Sequence, residues 1–183
     1  MADILNYDMS NPKEIGLRLK AGEVGIFPCD TIYGICASVS EENSERIYQI
    51  KQRPQNKSFI TLMTKNQLIH SDLIVPEDLL ALWPAAFTAI LANKEGITTA
   101  VRVPADSYLL DLMEYSGPIF STSVNISGQP SLQNSDDIIK TFSDSVDFIL
   151  EKRNLVPGQS STLIDATKKP YRIIRQGAYV FSI

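Results

Sequence analysis

The chain of 183 residues is 44% hydrophobic and 21% charged, a composition typical of one globular domain with a full core. Its formal net charge of −4 argues against bulk binding to nucleic acid, which normally needs a basic face. The single histidine excludes multi-histidine metal sites, and Cys29 and Cys36 form no C-x-x-C pair. We therefore predict a single domain, residues 1–183, without a metal site.

Neither a signal peptide nor a membrane span is expected. Residues 1–6 lack the charged and long apolar regions of a secretory leader, and no apolar run is long enough to cross a bilayer. The sparse use of cysteine fits a reducing compartment. We expect a cytoplasmic protein with no membrane partner.

Caps and apolar spacing predict helices that alternate irregularly with short strands. Asn11 and Pro12 are typical of a helix start, and Gly22 of a helix end. In chain order, we predict helices that begin at residues 11, 40 and 135, and helices near 76–82 and at 107–115. The predicted strands are 24–27, 59–63, 87–92, 99–103, 118–121, 148–150, 162–164 and 172–174. This order favours an α/β fold, with a twisted sheet of mixed parallel and antiparallel strands flanked by helices, over a doubly wound fold. Neither G-x-G-x-x-G nor a P-loop sequence occurs.

Three cations lie close together in residues 51–58, where Pro54 interrupts the helix that precedes them. Arg53 can fork onto a phosphate, and Lys51 and Lys57 add point charges. An acidic protein that concentrates cations at one place is expected to bind an anion there. A solvated charged loop is the other interpretation that this segment allows.

Polar residues also follow or interrupt several predicted strands. Residues 28–34 and 121–128 carry hydroxyls, an amide and glycines that suit contacts with a ligand, although each segment is also typical of an ordinary turn or loop. Arg102 interrupts an apolar strand, where it either faces solvent or clamps a carboxylate. Residues 160–165 and 173–177 add a hydroxyl pair and an arginine near the C-terminal strands.

In this order, these segments resemble the YrdC family of threonylcarbamoyl-adenylate synthases in its short, single-domain form. The similarity runs from about 24 to 177. P-x-[ED]-T-x-Y-G falls on 28–34, K-x-R-P…K on 51–57, V-R-x-P on 101–104, S-x-N-x-S-G on 123–128 followed by Pro130 and Ser131, S-T-[IVL]-[IV]-D on 161–165, and R-x-G on 175–177. The resemblance implies a YrdC-like fold with a concave anion-binding groove, without the C-terminal extension of two-domain relatives.

The resemblance also implies a reaction. The family joins L-threonine, bicarbonate and ATP into threonylcarbamoyl-AMP and pyrophosphate, and the product is used for t6A modification of position 37 of tRNA. Since an N-carboxy-threonine dianion must approach anionic ATP, cations and donors aimed at the phosphoryl oxygens are expected to catalyse the step. Mg²⁺ is expected to be carried by the triphosphate. Transient contact with the t6A transferase complex and with tRNA is expected.

The same resemblance implies roles for individual residues. The expected catalytic residues are Lys51, Arg53, Ser123 and Asn125. The nucleotide is expected to contact Lys51, Arg53, Lys57, Ser58, Thr98, Ser123, Ser131 and Arg175. Threonine is expected to contact Thr31, Leu62, Arg102, Asn125 and Ser161, with Arg102 on its carboxylate.

Three features depart from the family pattern and concern the amino-acid pocket. Residues 83–88 lack a glycine and a second proline, Leu62 stands where longer relatives carry histidine, and Ser160 stands where glutamate is usual. Two other functions are alternatives. One is a double-stranded RNA or tRNA-binding module without catalysis, which the acidic balance disfavours. The other is a carbamoyl-adenylating domain with a different acceptor, as in hydrogenase-maturation carbamoyltransferases.

Overall fold

The computed structural model describes residues 1–52, 54, 58–152 and 158–181. Within these ranges the strands are β1 (Asp3–Asn6), β2 (Gly25–Pro28), β3 (Tyr33–Ser38), β4 (Ile60–Leu62), β5 (Phe87–Ala92), β6 (Thr98–Arg102), β7 (Ile119–Ser123), β8 (Phe148–Glu151), β9 (Thr162–Asp165) and β10 (Arg172–Arg175). The α-helices are α1 (Pro12–Lys20), α2 (Glu41–Ile50), α3 (Lys65–Ile69), α4 (Glu77–Leu82), α5 (Ser107–Ser116) and α6 (Ser135–Phe142), and a 3-10 turn covers Tyr7–Met9.

All ten strands form one sheet in the order β1-β8-β2-β3-β7-β4-β6-β5-β9-β10. The sheet combines parallel pairs, such as β4 with β6 and β5 with β9, with antiparallel pairs, such as β2 with β3 and β3 with β7. The prediction of a mixed sheet flanked by helices is confirmed. No helix among the described residues has the length and apolar character needed to cross a membrane.

Side-chain caps set the helix starts that the sequence predicts. Asn11 Oδ1 accepts a hydrogen bond of 3.0 Å from Lys13 N, and Pro12 occupies the first turn of α1. The start of α6 differs by one residue from the prediction, because Asn134 rather than Ser135 supplies the capping oxygen. Asn134 Oδ1 accepts from the backbone N–H groups of Asp136 and Asp137.

The sheet has a hydrophobic cluster on each face, because successive strand residues point to opposite sides. On β2, Ile26 belongs to the cluster that includes Ile47 of α2 and Phe142 of α6. Its neighbour Phe27 belongs to the cluster that includes Leu19 of α1 and residues of α5. A third cluster, centred on Trp83 and Phe87, covers the β5–β6–β9 end of the sheet.

The 28–34 segment contains a tight turn that joins β2 and β3 into a hairpin. Cys29 N donates to Ile32 O at 3.0 Å, and the chain returns directly as β3. Gly34 lies outside this turn. Gly34 lies within β3 opposite Ser123 of β7, and a Cβ atom there would lie 2.8 Å from Ser121 Oγ. Close packing of the two strands therefore requires glycine.

Strand β7 is longer than predicted, and this matters for the placement of its hydroxyls. The prediction ended the strand at 121, whereas pairing with β3 continues to Ser123. Ser121 and Ser123 are therefore strand residues two apart, and they point to the same face of the sheet. Strands β1 and β3 and helix α3 were missing from the sequence prediction.

Candidate active site

A cavity of about 360 Å³ lies on one face of the sheet, over the strands near its centre. Strands β4, β6, β7, β9 and β10 and the β2–β3 turn contribute side chains to it. Its polar lining includes Thr31, Ser58, Arg102, Ser123, Ser161 and Arg175. All six had been predicted to contact nucleotide or threonine, so the fold brings distant segments of the chain to one place.

Arg102 is buried at the end of β6, with only 3% of its surface exposed. Its Nη1 donates to Thr31 Oγ1 at 3.1 Å, and its Nη2 lies 2.8 Å from Asp30 Oδ1. Among the described residues, Arg102 Nε has no hydrogen-bond partner. The solvent-facing interpretation of Arg102 is therefore wrong. A buried guanidinium with donor capacity beside a cavity can clamp a carboxylate.

Asp30 lies against Arg102 beside the cavity, where its burial has an electrostatic cost. Burial raises the pKa of the Asp30 carboxyl above its ordinary value, and the opposing attraction of Arg102 only partly offsets the effect. Asp30 Oδ1 has no partner with hydrogen-bond geometry within the described part of the chain, despite its short distance to Arg102. The pair is therefore close and buried, but one carboxylate oxygen of Asp30 is incompletely hydrogen-bonded.

Ser161 lies beside the second arginine of the cavity. Its hydroxyl is 2.8 Å from Thr88 Oγ1, and its carbonyl oxygen accepts a hydrogen bond of 2.8 Å from Arg175 Nη2. Desolvation lowers the pKa of the Arg175 guanidinium, and the positive charge of Arg102 lowers it further. The two guanidinium groups carry like charges and together create a positive potential, which favours an anionic ligand.

Lys51 is buried at the C-terminal end of α2, and its side chain forms hydrogen bonds with the segment that follows β7. Its Nζ donates to the carbonyl oxygens of Ser123 and Asn125 and to Asn125 Oδ1, the latter two at 3.0 and 2.7 Å. Ser123 Oγ donates to the same Oδ1 at 2.8 Å. Ser127 N donates to Lys51 O at 2.9 Å. The structure thus brings three predicted catalytic residues together, with the ammonium pointing at protein oxygens.

Other predicted residues have different environments. Ser58 is exposed and lines the cavity. Ser131 follows the Lys51-bound segment, and its Oγ is buried with no hydrogen-bond partner among the described residues. Thr98 is exposed at the opposite end of β6 from Arg102. Leu62 is fully buried in the cluster that contains Leu19. Neither Thr98 nor Leu62 lines the cavity, so their proposed contacts stay predictions.

Arg53 and Lys57 lie outside the described residues, so the structure says nothing of their positions. Within the described ranges, no group of three or more histidine, cysteine, aspartate and glutamate side chains could hold a metal ion.

Several side chains of the site were missed as contributors, among them Asp30, Thr88 and Cys29. Asp30 precedes Thr31 in the first motif and could have been suspected as a counterion once Arg102 was taken as buried. Thr88 supports Ser161, but the two lie 73 positions apart and no local pattern links them. Cys29 also lines the cavity, although its position in the sequence suggested only a turn.

A sequence profile of the Sua5/YciO/YrdC family, described as "Telomere recombination", matches residues 18–177. A curated relative from Pyrococcus abyssi (strain GE5 / Orsay), named Threonylcarbamoyl-AMP synthase, is 32% identical over 175 residues. This similarity covers 87% of the chain and 52% of that relative, so the chain spans about half the relative's length. A relative of the same name from Vibrio campbellii is 24% identical over 190 residues, covering 92% of the chain and 100% of the relative.

Similarity in structure agrees with similarity in sequence. The crystal structure of Pyrococcus abyssi Sua5 complexed with L-threonine matches the chain with a TM-score of 0.82 at 27% identity. The match covers 97% of this chain and 57% of that one. Nearly every described element therefore has a counterpart in the Sua5 structure.

Proposed function

The chain belongs to the Sua5/YciO/YrdC family, and from this membership we propose that it is an L-threonylcarbamoyladenylate synthase. As a nucleotidyltransferase it joins L-threonine, bicarbonate and ATP: carboxylation of the amine by bicarbonate releases water, and transfer of the adenylyl group to the N-carboxylated amino acid releases pyrophosphate. The names of the Pyrococcus and Vibrio relatives support this function over an RNA-binding module. The product would serve t6A modification of tRNA in the cytoplasm, with transient contact with the t6A transferase complex and tRNA.

The observation that carries the proposal is the cavity with two guanidinium groups and several hydroxyls on one face of the sheet. Arg102 and Arg175 both line it, as do Thr31, Ser123 and Ser161. A substrate with a carboxylate, a hydroxyl and a neighbouring triphosphate needs this combination of cations and neutral donors. The cavity's volume of about 360 Å³ suits a small ligand better than a nucleic-acid duplex.

Threonine is proposed to bind at the inner end of the cavity. Arg102 would take its carboxylate, and Thr31, already 3.1 Å from Arg102, would share that contact. The Ser161–Thr88 hydroxyl pair is placed to exchange hydrogen bonds with a polar group of the substrate. Arg102 Nε, which has no hydrogen-bond partner among the described residues, is a donor that remains for the substrate carboxylate.

The nucleotide is proposed to occupy the outer part, where Ser58 and Arg175 line the cavity. Ser123 would contact the ribose or the α-phosphate, with Asn125 beside it. Lys51 holds both residues in place through their oxygens, and this preorganisation costs nothing when the substrate binds. Ser131, Thr98, Arg53 and Lys57 remain proposed nucleotide contacts.

The chemistry requires positioning and charge neutralisation more than a nucleophilic side chain. The carbamate oxygen of N-carboxy-threonine attacks the α-phosphorus of ATP, and the bond to the β-phosphate oxygen breaks to release pyrophosphate. Repulsion between the anionic reactants opposes this approach, and fixed cations and donors lower that barrier. Mg²⁺ enters as part of the nucleotide substrate and neutralises the leaving pyrophosphate.

The reaction is tested by incubating the purified protein with ATP, Mg²⁺ and bicarbonate, with and without L-threonine. We expect pyrophosphate and threonylcarbamoyl-AMP, separated by chromatography, only when threonine and bicarbonate are both present. L-valine, which has a methyl group in place of the hydroxyl, serves as a matched control and should give much less product. Binding of ATP without formation of any adenylate, across these conditions, would contradict the proposal.

A further inference from the structure

Thr162 of β9 lies between two residues of the cavity wall but faces away from the cavity. Ser161 and Leu163 line the cavity, and successive strand residues point to opposite faces of a sheet. The Thr162 side chain is fully buried on the other face, beside its cross-strand partner Phe87. Its hydroxyl is therefore out of reach of a ligand in the cavity and has another role.

The Thr162 hydroxyl holds the segment that follows β10. Its Oγ1 donates a hydrogen bond to Tyr179 O and accepts one of 2.9 Å from Gly177 N. Gln176 Nε2 donates to the same oxygen at 3.4 Å. Because a hydroxyl has one proton and two lone pairs, this buried atom uses its full hydrogen-bonding capacity on residues 176–179. Thr162 and residues 176–179 are called the C-terminal clasp below.

The C-terminal clasp lies directly behind two side chains of the cavity. Ala178 N donates to Ser160 O at 2.9 Å. Gly177 packs so closely on the backbone of Ser160 and Ser161 that a Cβ atom there would overlap Ser160 O. Arg175 Nη2 donates to Ser161 O at 2.8 Å. The clasp thus fixes the Arg175 guanidinium and the Ser161 backbone relative to each other.

Strand pairing alone does not set the position of Arg175. The register between β10 and β9 shifts between Ile173 and Arg175, so the ladder is irregular immediately before the arginine. Since a bulge disrupts the ladder, contacts outside the ladder have to fix the residue that follows it. The clasp supplies these contacts.

We propose that Thr162 is a positioning residue for the reaction, which holds Arg175 and Ser161 through the C-terminal clasp at the spacing that the two substrates require. This inference rests on the proposed function, which assigns Arg175 to the nucleotide and Ser161 to threonine. One hydroxyl on the far face of the sheet would then serve a contact to each substrate.

Thr162→Val tests the proposal, because valine has nearly the shape of threonine but no hydroxyl. The KM values for threonine and for ATP should rise together, each by about tenfold to a hundredfold, since a misplacement of about 1 Å can cost about a hundredfold. Thr162→Ser keeps the hydroxyl and should recover most of the loss. Initial rates of pyrophosphate release, at varied threonine and at varied ATP, measure both KM values.

Thr64→Val is the matched control for a loss of stability. Thr64 is also a buried threonine, its Oγ1 accepts a hydrogen bond of 3.1 Å from Gln67 N at the start of α3, and it does not line the cavity. It should lower the urea midpoint of unfolding and leave both KM values unchanged. Unchanged KM values in Thr162→Val, or equal KM changes in the two valine variants, would overturn the proposal.

Gly177→Ala disturbs the same clasp from its other side, because the added methyl group overlaps Ser160 O. It should raise both KM values as Thr162→Val does, and it carries the test if that variant fails to fold. Combining the two substitutions should add little to either alone, because residues that act as one unit are not additive. Fully additive effects would show that Thr162 and Gly177 act separately, against the proposal.

Crystal structures of the unchanged protein and of Thr162→Val test the positioning without any assay of the enzyme. In the variant, Arg175 Nη2 should no longer lie within hydrogen-bond distance of Ser161 O. An Arg175 side chain that keeps this hydrogen bond would overturn the proposal. If Arg175 moves in the variant but the unchanged protein binds neither threonine nor ATP in calorimetric titrations, the proposed function fails while the clasp stands.

Discussion

Two arginine–aspartate pairs have nearly equal nitrogen–oxygen distances, yet the pKa values of their two aspartates are shifted in opposite directions. Arg102 Nη2 lies 2.8 Å from Asp30 Oδ1 inside the cavity, and Arg46 Nη1 lies 2.7 Å from Asp147 Oδ2 near the surface. Asp147 accepts further hydrogen bonds from Arg46 Nη2 and Val24 N, at 2.9 and 2.7 Å. Asp30 instead presents to Arg102 an oxygen without hydrogen-bond geometry.

The pKa directions report this difference. Burial raises the pKa of Asp30 despite Arg102, whereas hydrogen bonds from Arg46 and Val24 N lower the pKa of Asp147 despite partial burial. A forked, hydrogen-bonded pair near the surface stabilises the fold, whereas desolvation offsets part of the attraction within a buried pair. The comparison supports the proposal that Arg102 binds a ligand, whereas the hydrogen bonds of Arg46 hold the scaffold together.

Replacing Arg102 and Arg46 in turn should have the largest effect and tests directly whether the two pairs differ in their role. Arg102→Ala is expected to reduce kcat/KM for threonine by about a hundredfold to a thousandfold, because the proposed carboxylate clamp is removed. Arg46→Ala should leave kcat/KM nearly unchanged. Initial rates of pyrophosphate release at varied threonine concentration measure both.

Arg102→Lys controls for a folding defect, because lysine keeps the positive charge but cannot form two parallel hydrogen bonds with a carboxylate. It should remain folded by circular dichroism and still lose activity. Equal activity of the Arg102 and Arg46 variants would show that the buried pair has no special role in the reaction.

Lys51 extends the comparison to a third cation, whose ammonium bonds to protein oxygens. Lys51→Met should lower the free energy of unfolding by about 3 kcal/mol, because buried acceptors lose their donor. Turnover should also fall by about a hundredfold, since Ser123 and Asn125 are no longer held in place. Urea unfolding and pyrophosphate release measure the two effects.

Lys140→Met, on the exposed face of α6, is the matched control and should change neither quantity. Loss of activity in Lys51→Met with stability unchanged would instead mean that Lys51 contacts the nucleotide directly. The sequence predicted that direct contact, whereas the hydrogen bonds favour positioning.

What the sequence predicted well depends on local patterns. Helix α1 follows from Asn11 and Pro12, and strand β5 follows from an apolar run found at its predicted limits. The meeting of Thr31, Arg102 and Ser161 at one cavity was predicted from ordered motifs. These features need only caps, apolar runs and short motifs.

What the sequence missed depends on distant contacts. Strand β3 contains Gly34, whose role becomes clear only beside Ser121 on another strand. The acceptors of the Lys51 ammonium lie 72 and 74 positions along the chain, so a cluster of cations suggested only an anion site. Strand pairing and buried hydrogen bonds between distant residues produce no periodic pattern in the sequence.

The surface pair predicts a characteristic dependence of stability on pH. Because the folded-state pKa of Asp147 is lowered, its stabilisation is present above the ordinary aspartate pKa of 3.8 and is lost as pH falls through the folded value. Asp147→Asn should therefore lose about 1.5–3 kcal/mol of unfolding free energy near neutral pH, and little at strongly acidic pH.

Urea unfolding of Asp147→Asn and the unchanged protein across this pH range measures the difference. Asp144→Asn, an exposed carboxylate nearby, is the control and should show no such pH-dependent loss. A constant difference at every pH would mean that the Asp147 charge contributes nothing.

Replacing Asp30, in the pair beside the cavity, should have the smallest effect on stability. Its dependence on pH should have the opposite sign to that of Asp147. Because burial raises the folded-state pKa of Asp30, the folded protein holds the proton more tightly, so its contribution is greatest below 3.8 and is lost as pH rises through the folded value. Relative to Asp30→Asn, the unchanged protein should therefore lose stability as pH rises through that window. Near neutral pH Asp30→Asn should therefore lower the unfolding free energy by less than Asp147→Asn does, and a loss of about 3–5 kcal/mol, the cost of breaking a well-satisfied buried pair, would show that Asp30 and Arg102 form a stabilising pair.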